Sequence, residues 1–364
     1  MCICRCEEHS DEAIQRLNNP GLPRSARNDG KNKEGIQMKI GIIGCGLIGT
    51  KRAAAAKNLG LEIVAASDIN VLKAKALTDK FGGRPSANNN DVINSAAEII
   101  VIAAYHKSLP EIAKAALNAG KHLLLEKPGA RRPAELLELI KLSKEKNLKV
   151  KVGFNHRFHP ALLKAREIVD SGALGELYYV RGWYGHGGRV GYNKEWRFTK
   201  DISGGGELLD QGSHLIDLSL WFLGDFSSVK GALQNYFWGG EVEDNCFMIL
   251  QTKEGKCAAL HATWTEWKNA FKFEITGKNG KIEISGFGGS YGTETVTFYK
   301  MLPQMGPPET TSWQYPFADK SWDAEFTELL NAIKQDRQPM GGLEDCFKTL
   351  TVVEKLYNGQ TEKI

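Results

Sequence analysis

The stretch from Met38 to Gly49 constrains the fold of this chain more than any other part of the sequence. A short apolar run, Ile40 to Ile43, is followed by Gly44-x-Gly46-x-x-Gly49 and then by an alanine-rich, helix-prone run. A strand, a glycine turn and a helix in this order indicate a dinucleotide-binding unit rather than a chance glycine pattern. Gly44 permits a tight turn, Gly46 leaves room for a pyrophosphate, and Gly49 lets the helix lie close to the strand.

The cofactor is expected at the start of that helix, where free N–H groups and the helix dipole favour phosphates. We therefore predict that Leu47 and Ile48 contact it together with the three glycines. Asp68 follows the second predicted strand, where a carboxylate binds a ribose 2′-hydroxyl and repels a 2′-phosphate. Neither residue that follows Asp68 is basic, so we expect NAD in preference to NADP, although Lys73 weakens the discrimination.

Length and composition indicate an ordinary globular protein of two domains. The chain has 364 residues, of which 42% are hydrophobic and 25% are charged. A formal net charge of +4 gives no reason to expect nucleic acid or an anionic membrane as partner. The longest apolar-rich run, Ile99 to Tyr105, is too short to span a bilayer. No signal peptide is visible and the later cysteines are isolated, so we expect a cytoplasmic protein.

Residues 1–37 differ from the rest of the chain because they have no recurring apolar face and many Asn, Gly and Pro. We expect a disordered leader and predict that Met38, directly before the first strand, is the native start. A genuine tail that binds a partner is the alternative. Cys2-x-Cys4-x-Cys6 lacks the spacing and the second half of a zinc site, so we predict no metal site.

The chain has two patterns of regular structure. Over residues 38–155, short apolar strands alternate with helices, which predicts a parallel sheet covered on both faces. Further on, strand-like runs separated by turns predict a mostly antiparallel open sheet in a second α+β domain. The expected fold class is therefore α/β, with an NAD-binding domain over residues 38–155 and a substrate-binding domain over residues 156–364.

Ligands of parallel sheets bind at the carboxyl ends of the strands. Those ends supply further candidates for cofactor binding, namely Ala103, His106, Glu126 and Lys127, and for substrate binding, namely Asn155 and Arg157. Lys127 ends a buried strand before a proline, and an ammonium group at that edge can stabilise a developing alkoxide. An ordinary surface lysine is the alternative.

A second set of polar residues follows three glycines, in the run Gly204 to Asp217. Asp210 and His214 are four residues apart and share one face of a predicted helix. A carboxylate beside an imidazole is a general-base arrangement. The alternative is a hydrogen-bond network around a satisfied core histidine, and Asp217 is expected to be structural.

The stretch from Gly182 to Lys200 is rich in Gly, Tyr, Trp and Arg and predicts an irregular substrate loop. We expect Trp196 and Arg197 to bind substrate, because aromatic faces stack on the C–H surfaces of a hydroxyl-rich ring. Arginine also suits the diphosphate of a nucleotide sugar.

Several of these motifs occur together in one known family. The glycine motif, Glu126-Lys127-Pro128, Gly153-Phe154-Asn155-His156-Arg157-Phe158 and Gly204-Gly205-Gly206…Asp210…His214 resemble the glucose–fructose oxidoreductase/inositol dehydrogenase (Gfo/Idh/MocA) family. The resemblance covers the chain from Met38 onward. It implies a Rossmann domain and a C-terminal domain whose open sheet commonly forms an oligomer interface. One departure is Ala104-Tyr105-His106, where family members often have Thr-Pro or a similar pair.

The resemblance also implies a function. It places the catalytic residues of the family at Lys127, Asp210 and His214, and it implies a homodimer or homotetramer. The expected enzyme is an NAD(P)-dependent dehydrogenase that transfers hydride between nicotinamide and a secondary alcohol of a sugar, nucleotide sugar or cyclic polyol. An NAD-dependent glycoside hydrolase with transient redox of the sugar is the alternative. A catalytically idle NAD-sensing or scaffold protein is a third hypothesis, against which the three intact residues argue.

Overall fold

The computed structural model describes residues 38–359, and the expectations about residues 1–37 lie outside them. Two sheets organise the described residues, one with six strands and one with eight. Within residues 38–359, no helix combines the length and apolar character that are needed to cross a lipid bilayer.

The first sheet is parallel throughout. Its strands are β1 (Lys39–Ile43), β2 (Glu62–Ser67), β3 (Arg84–Ser86), β4 (Ile99–Ile102), β5 (His122–Leu125) and β6 (Val150–Val152). The helices of this part are α1 (Leu47–Asn58), α2 (Val71–Phe81), α3 (Asn89–Ile93), α4 (Leu109–Asn118) and α5 (Leu137–Glu145). The strand order β3-β2-β1-β4-β5-β6 is that of the doubly wound dinucleotide-binding fold, in which ligands bind where the order reverses, between β1 and β4.

Local sequence explains these elements well. All four residues of β4 are fully buried because helices cover both faces of the sheet. Helix α2 begins after Asn70, whose side-chain oxygen accepts a hydrogen bond from the N–H of Leu72, and it ends at Gly82, which has a positive φ of 93°. Helix α4 has a proline in its first turn, where the missing N–H group costs nothing.

The second sheet begins after helix α6 (Pro160–Asp170). Its eight strands are β7 (Leu177–Gly185), β8 (Phe226–Gln234), β9 (Asn245–Thr252), β10 (Cys257–Thr263), β11 (Ala270–Gly277), β12 (Gly280–Ser285), β13 (Glu294–Lys300) and β14 (Glu309–Tyr315). The order is β14-β13-β12-β11-β7-β10-β9-β8, and only β7 and β10 pair in parallel. The predicted fold class, a doubly wound parallel sheet plus a mostly antiparallel open sheet, is confirmed.

Four further helices complete the described chain, namely α7 (Lys200–Ser203), α8 (Ser213–Leu223), α9 (Ser321–Lys334) and α10 (Leu343–Gly359). A π-helical turn, Leu208–Gly212, leads directly into α8. Helix α9 returns to the first sheet, because Phe326 and Leu329 share a buried cluster with residues of β1 and α1. The domain boundary after residue 155 stays a prediction, and α9 crosses it by packing against the earlier part of the chain.

A buried ionic network fixes α1 and α9 to the edge of the first sheet. Arg52 of α1 is completely buried; its Nε lies 2.6 Å from Oε1 of Glu126, and its Nη1 lies 2.5 Å from Oε2 of Glu325. Lys151 of β6 places its Nζ 2.8 Å from Oε1 of Glu325. Burial opposes the charge of Arg52, but the two carboxylates outweigh it and raise its pKa. Two cations and two carboxylates therefore compensate one another inside the protein.

Replacement of Arg52 by methionine tests this network. Arg52→Met should lower the free energy of unfolding by about 3–5 kcal/mol, because it leaves two buried carboxylates with too few partners. Urea denaturation measures the change. The control is Lys75→Met, which removes an exposed ion pair with Asp79 (Nζ–Oδ2 2.8 Å) and should cost about 0.5 kcal/mol or less. Equal effects of the two substitutions would contradict the role given to Arg52.

Candidate active site

The glycine turn after β1 has one glycine that faces free space. A Cβ on Gly44 would lie 2.3 Å from the carbonyl oxygen of Ala103, and a Cβ on Gly49 would lie 1.9 Å from that of Gly44. The corresponding position on Gly46 has no atom within 4 Å. Gly44 and Gly49 are thus required by the fold itself, whereas the space over Gly46 suits a ligand. Since α1 has no acidic residue in its first turn, this space and the helix N-terminus fit a pyrophosphate.

Asp68 lies beside this turn, at the carboxyl end of β2. Its Oδ2 accepts a hydrogen bond from the N–H of Cys45 (2.8 Å), and its Oδ1 accepts one from the N–H of Asn70 (2.9 Å). The half-buried carboxylate is therefore held in place at the position that sequence reasoning gave to a ribose ligand. Burial, with the charge of Asp68, raises the pKa of the Cys45 thiol to about 12, which makes this cysteine a poor nucleophile.

Lys127 and Asp210 meet between the two parts of the protein. Lys127 follows β5, and the Lys127–Pro128 peptide bond is cis. Its Nζ donates to Oδ1 of Asp210 in a close ion pair and to the carbonyl oxygen of Asp210 at 3.0 Å. Asp210 belongs to the π-helical turn before α8, and such turns often occur at functional sites. The two side chains are 18% and 15% exposed, so the pair is largely buried but still accessible to solvent.

Asp210 has a second cationic partner in the predicted substrate loop. Nε of Arg197 lies 3.5 Å from its Oδ2, and the guanidinium of Arg197 lies 4.9 Å from the ring centre of Trp196. Burial opposes ionisation of Asp210, but Lys127 and Arg197 outweigh it and hold its pKa well below the usual value. The site therefore contains an ionised carboxylate between two cations, and Trp196 contacts one of them, Arg197.

His214 lies in α8 and is almost fully buried. Its ring is stacked on that of His156, with centroids 3.7 Å apart and an interplanar angle of 14°. Burial and the charge of Lys127 lower the pKa of His214 well below its usual value, against the opposite effect of Asp210. The imidazole is consequently neutral at neutral pH and has the protonation state of a general base.

Asp210 and His214, which were expected on one face of a helix, are not hydrogen-bonded to each other among the described residues. Among the described residues, the partners of the Asp210 carboxylate are Lys127 and Arg197, and Nδ1 of His214 is buried without any hydrogen-bond partner. A spacing of four residues aligns side chains on an α-helix. Here the first of the two residues stands in a π-helical turn, and a lysine from the other sheet binds its carboxylate.

Two of the predicted cofactor residues, Ala103 and His106, follow β4. Ala103 is half-buried, and its N–H donates to the carbonyl oxygen of Ile43 (2.7 Å). Nδ1 of His106 lies 2.8 Å from the carbonyl oxygen of Ser203, and the His106 ring meets the Trp196 ring edge-on at 4.8 Å. Burial and the nearby Lys127 lower the pKa of His106 to about 4. His106 thus connects the edge of the first sheet with the substrate loop.

Three other predicted site residues have structural partners. The carboxylate of Glu126 binds Arg52, so its side chain holds α1 and does not support the expected cofactor contact. Asn155 donates from Nδ2 to Oγ of Ser321 (2.9 Å). Arg157 forms a buried, two-point ion pair with Asp217 (2.8 and 2.7 Å), which leaves its guanidinium poorly placed for substrate and gives Asp217 the structural role expected of it.

Three residues without a predicted role, His156, Gln211 and Tyr291, extend the site from His214 together with Tyr184 of the predicted substrate loop. His156 stacks on His214, the Tyr184 ring lies 5.2 Å from His156, and the Tyr291 ring lies 5.7 Å from Tyr184. Gln211 is buried, and its Oε1 has no hydrogen-bond partner among the described residues. His156 and Gln211 stand inside the recognised motifs, so their positions were a usable signal. Tyr291 ends a short 3₁₀ turn between β12 and β13, and no sequence motif indicated it.

Two family models match this chain. The model described as "Oxidoreductase family, NAD-binding Rossmann fold" matches residues 38–154. The model described as "GFO/IDH/MocA C-terminal domain" matches residues 162–283. The matched ranges contain the glycine turn and Lys127 in the first case, and Asp210 and His214 in the second.

Individual relatives agree with these models. Levoglucosan dehydrogenase of Pseudarthrobacter phenanthrenivorans is 28% identical over 283 residues, which cover 67% of this chain and 73% of the relative. Inositol 2-dehydrogenase of Salmonella typhimurium is 25% identical over 316 residues, which cover 84% of this chain and 89% of the relative. The solved structure of a levoglucosan dehydrogenase in complex with NADH shares the fold, with a TM-score of 0.80, 24% identity and coverage of 89% of this chain and 97% of that chain.

Alanine substitutions at Gly46 and Gly49 distinguish a glycine that leaves space for a ligand from one that the packing of the fold requires. Gly46→Ala should leave the free energy of unfolding nearly unchanged, because its φ of −74° suits alanine and its Cβ meets nothing. The affinity of the Gly46→Ala variant for NAD should nevertheless fall at least about tenfold, which corresponds to 1.4 kcal/mol. Gly49→Ala should instead destabilise the fold because of the clash with the Gly44 carbonyl. Titration calorimetry and urea denaturation measure both effects, and full NAD affinity in Gly46→Ala would contradict this cofactor position.

Proposed function

Since the chain belongs to the GFO/IDH/MocA family of NAD-binding oxidoreductases, we propose that it is an NAD-dependent dehydrogenase of a sugar, nucleotide sugar or cyclic polyol. One observation carries the proposal: Lys127 and Asp210 form an ion pair, and His214 is a neutral, buried imidazole one helical turn further. The named relatives, a levoglucosan and an inositol dehydrogenase, support a hydroxyl-rich substrate. Their dehydrogenase activity favours this function over a glycoside hydrolase.

Each of the three residues has a distinct part in the proposed reaction. Bound NAD+ supplies the acceptor for the hydride of the carbinol C–H bond. Nε2 of His214 takes the hydroxyl proton, since Nδ1 is buried and not accessible to the substrate. The ammonium of Lys127 stabilises the negative charge that develops on the substrate oxygen as the C=O bond forms. Asp210 holds Lys127 at this place and accepts a hydrogen bond from a neighbouring substrate hydroxyl.

The charges of the site suit this division of work. Lys127 disfavours a proton on His214, so the base stays free to accept one at neutral pH. Asp210 compensates Lys127 and is itself kept ionised by Lys127 and Arg197. Such fixed charges in a largely buried site stabilise a transition state without reorganisation during the reaction.

We propose NAD rather than NADP as the preferred cofactor. The Asp68 carboxylate is fixed by two backbone N–H groups at the end of β2, where a ribose 2′-hydroxyl binds in this fold. The next two residues, Ile69 and Asn70, are exposed and uncharged, so they offer no partner for a 2′-phosphate.

We also propose that the enzyme forms a homodimer or homotetramer through the open face of the second sheet. That face contains a shallow cavity of about 880 Å³ with exposed Trp183, Phe247 and Ile249. Large exposed apolar patches of this kind mark interaction surfaces. A cytoplasmic location is part of the proposal, and the free thiols of Cys45, Cys246, Cys257 and Cys346 agree with a reducing compartment.

A substrate screen combined with one substitution tests the function. Polyols, free sugars and nucleotide sugars are incubated with NAD+ or NADP+, and reduced nicotinamide is followed by absorbance. With a substrate found, Lys127→Ala should lower kcat about 10²–10³-fold, as loss of an electrostatic stabiliser does, and should retain NAD binding. The matched control is Lys107→Ala, which removes a lysine paired with Asp201 at the surface (2.6 Å). Near-normal turnover of Lys127→Ala, or aglycone release without net NADH, would refute the proposal.

The cofactor preference has a test of its own. Asp68→Ser should reduce the ratio of kcat/KM for NAD+ to that for NADP+, because the repulsion of a 2′-phosphate disappears. Parallel kinetics with both cofactors measure the ratio. Lys73→Ala is the companion variant and should raise it, since Lys73 is the nearest basic residue in sequence. An unchanged ratio in Asp68→Ser would contradict the role of this carboxylate.

A further inference from the structure

His214 lacks the hydrogen bond that usually orients a catalytic histidine. In most such sites, a carboxylate or carbonyl binds the ring nitrogen that does not face the substrate and so fixes the ring. Nδ1 of His214 is buried and has no partner among the described residues. Asp210, four residues before His214, is engaged by Lys127 and Arg197, and Asp217, three residues after it, is engaged by Arg157. Something other than a hydrogen bond must therefore hold this ring.

The ring of His156 provides the closest support. It lies parallel to the His214 ring, with centroids 3.7 Å apart and an angle of 14° between the planes. The other aromatic contacts of His214 are longer and edge-on, to Phe154 at 6.2 Å and to Tyr184 at 6.5 Å. Face-to-face contact with His156 thus restricts rotation of the His214 ring most directly.

His156 is itself held firmly. Its Nδ1 lies 3.2 Å from Oδ1 of Asn155, whose Nδ2 donates to Oγ of Ser321. Its ring also meets Phe287 edge-on at 4.7 Å and Tyr184 at 5.2 Å. Asn155, which was expected to bind substrate, therefore helps to orient His156.

The contact does not suit proton transfer between the rings. The N–H bonds and lone pairs of an imidazole lie in the ring plane, so parallel rings direct them past one another. Nε2 of His156 is buried without a partner, which shows that this nitrogen does not donate to or accept from His214. Burial lowers the pKa of both rings well below the usual value, so both are neutral.

We propose that His156 is a positioning residue whose stacked ring fixes the plane of the His214 imidazole and directs Nε2 toward the reacting hydroxyl. The inference rests on the proposed dehydrogenase function. It follows that turnover depends mainly on an aromatic ring at position 156, and that the contact of His156 Nδ1 with Asn155 contributes less. A misplacement of about 1 Å in a reacting group costs about 10²-fold in rate, so loss of the stack should reduce turnover strongly.

Two substitutions separate the ring from its nitrogens. His156→Leu keeps a similar bulk without a ring and should lower kcat about 10–100-fold, with KM for NAD+ unchanged. His156→Phe keeps the ring and should recover most of that loss. Urea denaturation of both variants shows whether folding is affected, and His156→Met replaces His156→Leu if the latter does not fold. Equal loss in the leucine and phenylalanine variants, or a wild-type kcat in the leucine variant, would overturn the proposal.

A spectroscopic measurement keeps this test independent of the substrate. In NAD-loaded, ¹⁵N-histidine-labelled enzyme, the ring signals of His214 are assigned by their loss in His214→Gln. One set of ring-current-shifted signals is expected in the wild type and in His156→Phe, and shifted or multiple signals are expected in His156→Leu. Unchanged His214 signals in His156→Leu would overturn the inference. A failed substrate screen would refute the dehydrogenase function, and these spectra would still decide the role of the stack.

Discussion

The ion pair between Lys127 and Asp210 is the contact on which the rest of the structure depends. It joins the end of strand β5 in the first sheet to the π-helical turn before α8. Helix α8 packs against the second sheet. Neighbouring residues hold the chain segments on both sides of this ion pair in place. Glu126, next to Lys127, is bound to Arg52 of the cofactor helix, and Glu243 accepts hydrogen bonds from the N–H groups of Gly206 and Leu208, at 3.1 Å each. Ion pairs therefore connect helix α1, the end of β5 and the predicted substrate loop, through Arg52, Lys127 and Arg197.

The same ion pair explains why Asp210 and His214 have different roles. Because Lys127 and Arg197 engage Asp210, the carboxylate stays ionised and is not the orienting partner of His214. The imidazole stays neutral because it is buried and near a cation. Ring stacking on His156 then orients the His214 imidazole. His214 is the proton acceptor, Lys127 stabilises charge and His156 orients the base, because Lys127 and not His214 binds the Asp210 carboxylate.

Local patterns predicted the elements whose causes are local. The bounds of α2 and α4 follow from apolar spacing with a cap or a proline. The sequence carries little local signal for β3, α3 and β14, because they are short or largely exposed, with few buried apolar residues. Motifs and strand ends led to the prediction of Lys127, Asp210 and His214 as catalytic residues, and their roles stay a prediction. The partners of Glu126 and Arg157 were not predicted, because Arg52 and Asp217 lie 74 and 60 residues away in sequence. The spacing of four between Asp210 and His214 did not indicate that Asp210 stands in a π-helical turn, where Lys127 binds its carboxylate.

The central claim is that this set of charges serves hydride transfer from a substrate carbon to nicotinamide. The most direct measurement uses a substrate from the screen that is deuterated at its reacting carbon, followed through a single turnover with NAD+. We expect nicotinamide reduction to be slower than with the undeuterated substrate, and we expect the deuterium to be recovered in the reduced nicotinamide. Reduction without deuterium in the cofactor, or deuterium lost to water, would contradict this claim.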